Sequence, residues 1–155
     1  MYVRRTPGSK RDPVKQWRLP DRVFFAAGAC HILAFAFLQS RLKSGFEPRW
    51  IRPIAGHTGN HIVLARGDLV FDYHGYSRWN SFWSHTKRRA NQWWPGWDAD
   101  IVPIHAEALI SNREALPYVG LHMKEPKDYL YDPLPRALHY LARFRPVSDF
   151  ECRAS

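Results

Sequence analysis

The chain has 155 residues, 45% of them apolar and 15% aromatic, with seven tryptophans and a net charge of +9. That length suits one domain with its own core, and that composition excludes a disordered chain. No apolar run reaches the roughly 18 residues that span a bilayer, and zinc-finger spacing, a Gly-rich phosphate loop and internal repeats are all missing.

Residues 1–20 are basic and Pro-rich, and read as a flexible arm. They carry the charge of a signal peptide without its apolar stretch, so a cytoplasmic location is expected. Residues 21–155 then form a single domain. From Cys30 to about Lys43 the pattern predicts a helix, apolar nearly all round and therefore central, with Gly45 as its stop. Phe46–Ile54 reads as an extended segment whose prolines, Pro48 and Pro53, keep it toward a sheet edge. "AGHTGN" is a turn. His61–Tyr76 alternates around a central Gly67-Asp68, the pattern of a hairpin with a tight turn.

Ser77–Trp93 has helical spacing, and "WWPGW" breaks it. "DADIVPI" predicts a short strand, "HAEALISNREAL" a helix, and "GLHMKEP" another strand. "DPLPRALHYLARF" opens on prolines and closes on arginines, as a helix prefers. One buried helix, a largely antiparallel sheet and peripheral helices make an α+β domain.

The hairpin makes a geometric prediction. If Gly67 supplies the positive φ of a two-residue type II′ turn, the pairs run Arg66–Leu69, Ala65–Val70, Leu64–Phe71, Val63–Asp72, Ile62–Tyr73 and His61–His74. Alternation then puts His61, Asp72 and His74 on one face, and Ile62, Leu64, Leu69, Phe71 and Tyr73 on the other. His61 lies diagonal to Asp72 at a Cβ separation of roughly 7 Å, within reach of an imidazole–carboxylate bond. A histidine oriented by a carboxylate needs only a nucleophile to complete a catalytic unit. Cys30 supplies one: at a helix N-terminus, unpaired N–H groups and the dipole favour a thiolate and can hold an oxyanion. Gly28 is small enough to let a substrate backbone approach the thiol.

The segments "GACHILAFAF" and "GNHIVLARGDLVFDYHG" resemble the papain-like and transglutaminase-like cysteine hydrolase superfamily. In that superfamily Cys begins the central helix, His opens a strand, and a polar residue follows on the next strand. The resemblance covers roughly residues 23–76. It implies a papain-like core, with Cys30 as nucleophile, His61 as general base and Asp72 as the orienting residue. It also implies amide or ester chemistry through a thioester on a peptide or small amide or ester substrate, with no cofactor. The strand reads "HIVLARGD" where transglutaminase-like members carry "HxWxE", and the nearest upstream glutamine is Gln16, within the predicted arm.

Other readings stand beside these. Cysteine entering an apolar helix is often packing alone. His74 could assist His61 or replace it, and His31, one helical step of about 100° from Cys30, packs or lines the cleft. Asn60 adjoins His61, and Trp79 heads a group of tryptophans suited to walling a cleft; both are candidate substrate contacts. His57 and His61 have i,i+4 spacing, but Gly59 argues against a helix there, so no metal site is expected. The stripe "WNSFWSHTKRRANQWWPGW" also suits a non-catalytic module that stacks and neutralises an anionic partner such as nucleic acid or an acidic protein.

Overall fold

The hairpin organises the sheet. Gly67 adopts φ +57° while no non-glycine among the described residues takes a positive φ, so Gly67 leads a turn of the II′ kind. The pairs Leu64–Phe71, Ala65–Val70 and Arg66–Leu69 follow from that turn. They join β2 (His61–Arg66) to β3 (Leu69–Asp72). A second tight turn at Tyr73-His74 joins β3 to β4 (Gly75–Arg78), a strand that the sequence reading had placed partly in the following helix. Gly75 is required at this turn: its φ is +100°, and a Cβ would lie 2.9 Å from the Phe144 ring.

The computed structural model describes residue 8 and residues 11–42, 44–54 and 56–148. Cys152, residues 1–7 of the predicted arm and the Lys43 end of the predicted helix lie outside the described residues. Within them the chain is mixed α+β. The five-stranded antiparallel sheet has the order β4-β3-β2-β1-β5, with β1 at Glu47–Pro53 and β5 at Ala99–Pro103. The helices are α1 (Pro13–Trp17), α2 (Asp21–Ala26), α3 (Cys30–Ser40), α4 (Trp79–Asn91), α5 (Asn112–Ala115) and α6 (Pro133–Leu141). No helix among the described residues is long and apolar enough to cross a membrane.

Each face of the sheet covers its own apolar cluster. Ile62, Leu64, Leu69, Phe71 and Tyr73 pack with α2, α3 and α6, whereas Ile51, Val63 and Val70 pack with Phe82 and Ala90 of α4 and with Trp97. Helix α3 buries His31, Ile32, Leu33, Ala34, Ala36 and Phe37, which needs neighbours on several sides. It ends at Ser40, where Arg41 caps it by donating its backbone N–H to Phe37 O.

Several sequence expectations change. β1 is interior, between β2 and β5, and not an edge; its prolines sit near its two ends, and Arg49, Trp50 and Ile51 pair on both sides. The segment His105–Leu116 is no continuous helix: a 3₁₀ turn at Glu107–Leu109 is separated from α5 by Ser111, whose hydroxyl caps Glu114 N–H. "GLHMKEP" is not a strand; it crosses the mouth of the site described below.

The arm also differs from expectation over Pro13–Leu19. Asp12 caps α1 by accepting the N–H groups of Val14 and Lys15, and Gln16 is 1% exposed. Trp17 packs edge-on to Phe24 and Tyr131. Arg136 of α6 donates to Trp17 O at 2.7 Å, to Leu19 O and to Asp21 Oδ1 at 2.9 Å. An aromatic anchor and a partly buried cation hold this stretch to the body, against the solvation that its basic composition suggests.

Candidate active site

Cys30 is the first residue of α3, reached from a loop in which Gly28 takes φ +122°. That loop is pinned by the Tyr129 hydroxyl, which donates to Gly28 O at 2.7 Å. The first N–H groups of an eleven-residue helix lack intrahelical acceptors, so Cys30 sits among backbone donors. The thiol is free and half-buried.

His61 opens β2 and Asp72 closes β3, so the hairpin register brings them together although they stand eleven residues apart. His61 Nε2 lies 3.2 Å from Asp72 Oδ2, with both side chains no more than 5% exposed. The other carboxylate oxygen accepts the His74 backbone N–H at 2.8 Å. Asp72 is thus oriented by its own turn before it orients His61. With Nε2 taken by the acid, Nδ1 is the imidazole nitrogen left for the thiol.

The electrostatics of the three groups agree. Burial pushes the Cys30 thiol up, but hydrogen bonding with His31 and His61 and their positive charge bring it well below its ordinary value. Burial pulls His61 down, yet its bonds to Asp72 and Cys30 raise it to about 9. Burial also opposes ionisation of Asp72, and the bonds from His61 and His74 override it, holding the acid well below the usual carboxylate range. All three shifts run in the direction that favours a thiolate, an imidazolium and a carboxylate over the neutral partners.

These groups open into a cleft of ≈ 340 Å³, lined among others by Gln16, Gly28, Trp50, Asn60 and Lys124. Asn60 accepts the Trp50 indole N–H at 2.7 Å, which sets it beside His61. His31 lines the cleft as well: Nε2 donates to Lys124 O at 2.8 Å, and the ring also interacts with Cys30. It is a neighbour of the thiol, although one helical step separates the two residues.

Two predicted contacts lie elsewhere. His74 stands on the far side of Asp72, its side chain 40% exposed, and does not line the cleft. Trp79 belongs to the opposite face of the sheet, stacked on Trp83 at 6.2 Å beside a hollow that includes Arg49 and Arg66. The tryptophan that does wall the cleft is Trp50. Among the described residues no group of three or more His, Cys, Asp or Glu is placed to hold a metal ion.

Sequence reasoning left Gln16 unplaced and passed over Lys124, Tyr129 and Trp50. Gln16 carries the most informative contact. Gln16 lines the same cleft as Cys30; its Oε1 accepts from Lys124 Nζ at 2.7 Å, while its buried Nε2 has no partner among the described residues. A buried amide donor left unsatisfied costs about 1–3 kcal/mol, so its retention in the cleft that Cys30 also lines points to an acceptor that arrives with a ligand. The only sequence signal was a glutamine upstream of the cysteine; Lys124, 108 residues further on, gave none.

No protein-family model, curated protein or solved structure matches the chain.

Proposed function

We propose that the chain is a cysteine-nucleophile hydrolase or acyltransferase with a papain-like helix–sheet core, acting on an amide or ester through a thioester. The observation that carries this reading is the buried His61–Asp72 bond of 3.2 Å at the mouth of the helix that begins with Cys30. The Cys30 thiolate attacks the substrate carbonyl carbon, and the carbonyl π electrons move onto oxygen. The Cys30 backbone N–H and Gln16 Nε2 donate to that oxyanion; one such donor is worth about 10²–10³ in rate. His61 passes its Nδ1 proton to the leaving nitrogen or oxygen, and the C–N or C–O bond breaks to leave an acyl-thioester. Water or an acceptor amine then attacks, His61 takes up the released proton, and the thiolate returns.

The test is alkylation of native protein by iodoacetamide across pH, with the modified residue located by peptide mass. The reading expects Cys30 to be labelled with a midpoint well below the unperturbed ~8.5. It also expects p-nitrophenyl acetate to leave an acetyl group on Cys30. A thiol that labels only after unfolding would sink it and leave the binding-module reading, for which salt-sensitive polynucleotide binding is the direct assay.

A further inference from the structure

We infer that Lys124 is a positioning residue for the oxyanion site: its ammonium holds the Gln16 amide in the orientation that presents Nε2 to the reacting carbonyl. The inference rests on the acyl-transfer reading above and adds a component to it.

A glutamine amide can turn over, exchanging oxygen for nitrogen with little change in shape. Facing a developing oxyanion, one orientation donates and the other repels. Gln16 is 1% exposed, so water cannot choose between the two. Lys124 can. An ammonium has only donors to offer, and Lys124 Nζ sits 2.7 Å from Oε1. Turning the amide would set N–H groups against N–H groups and put an acceptor where Nε2 now lies. The flipped state is thereby excluded, and Nε2 remains a buried donor with no partner among the described residues.

Lys124 is itself well braced. Its Nζ lies over the Tyr129 ring at 5.6 Å, and its backbone oxygen accepts from His31 Nε2 at 2.8 Å. One residue of the 120–125 segment is therefore tied to α1, to α3 and to the tyrosine that pins Gly28. The charge acts in a second way. A cation on the amide oxygen polarises the amide and strengthens its N–H as a donor, and burial weakens the screening that would mask this.

Two reagents separate attack from oxyanion support at the same sulfur. Iodoacetamide alkylates by displacement at carbon and develops no oxyanion, whereas p-nitrophenyl acetate acylates through one. Lys124→Met keeps the apolar stem and removes the donor. It should leave the alkylation rate of Cys30 within about two-fold while slowing acetylation about ten- to hundred-fold, the loss expected when a supporting hydrogen bond to a reacting group is removed. Unchanged alkylation doubles as evidence that the fold is intact. Lys124→Arg, whose guanidinium can still donate to Oε1, should recover most of the acetylation rate. In a Gln16→Ala background, Lys124→Met should add little, because it acts through an amide that is gone.

Wild-type acetylation rates in Lys124→Met would overturn the inference and leave the acyl-transfer reading standing, provided Gln16→Ala is slow. Additive losses in the double variant would also overturn it, as would equal slowing of both reagents, which would place Lys124 on the thiol. A wild-type Cys30 that never acetylates would remove both the inference and the reading beneath it.

Discussion

Both faces of the β-sheet are covered by a helix, and the two helices are built oppositely. Helix α3 is apolar along most of its length and enclosed, with its N-terminus at the cleft. Helix α4 is two-sided: Phe82, Thr86 and Ala90 face the sheet, while Ser81, Ser84, His85, Arg88 and Arg89 are exposed. Histidines on the two sides behave accordingly. His61, enclosed and paired, is raised to about 9, whereas exposed His85 is lowered by desolvation and by neighbouring positive charge. The same side chain becomes a held cation on one face and an ordinary surface base on the other. Chemistry needs the first condition, because burial keeps a group against a fixed partner and weakens the screening between them.

That contrast can be broken most severely at the sulfur. Cys30→Ala should abolish acetyl transfer, a loss of about 10⁴-fold or more in kcat/KM against p-nitrophenyl acetate, with circular dichroism unchanged. Asp72→Asn comes next, with a loss of about 10³-fold, since the ring loses the acid that orients it. Its signature is the pH profile. Wild-type kcat/KM should rise as the thiol ionises and fall as pH passes about 9, where the His61 imidazolium gives up its proton. The carboxylate is among the causes that raise His61, so its removal should move the alkaline limb to lower pH.

A milder change sharpens the comparison inside the enclosed face. His31→Leu removes one of the two imidazoles that lower the Cys30 thiol. The thiol pKa should rise, slowing iodoacetamide labelling at pH 6 about ten-fold while labelling at pH 10 stays near the wild-type rate. On the solvated face, Arg88→Gln with Arg89→Gln should alter acetyl transfer less than two-fold and stability by no more than about 0.5 kcal/mol by urea titration. A large effect on transfer there would abolish the distinction between the faces.

Local patterns were legible in the sequence where the chain constrains itself. Gly67-Asp68 and the alternation around it set the hairpin register, and the register carried His61 to Asp72. The apolar run after Cys30 marked α3 and its start. What the sequence hid depends on distant partners. The prolines of β1 point to an edge, but both lie near the strand ends, and β5, far downstream in the chain, pairs with the stretch between them. "GLHMKEP" alternates well enough for a strand, but the backbone oxygen of Lys124 serves His31. Gln16 lay in a stretch whose basic composition argued for solvent, and only Trp17 and Arg136 reveal why it is buried. Trp79 was attractive for its aromatic ring, yet ring chemistry does not say which face of a sheet a helix covers.

Arg136 has a consequence for how the machine is assembled. In the proposed reaction the nucleophile, its base and its acid ride on α3 and the hairpin, whereas Gln16 rides on α1, which the Arg136 guanidinium clasps through Trp17, Leu19 and Asp21. The two jaws of the cleft are mounted on separately fastened pieces. In the proposed reaction, slackening the Arg136 clasp would leave the thiol as eager as before while loosening the amide opposite it, which Trp17 and Lys124 would then hold alone.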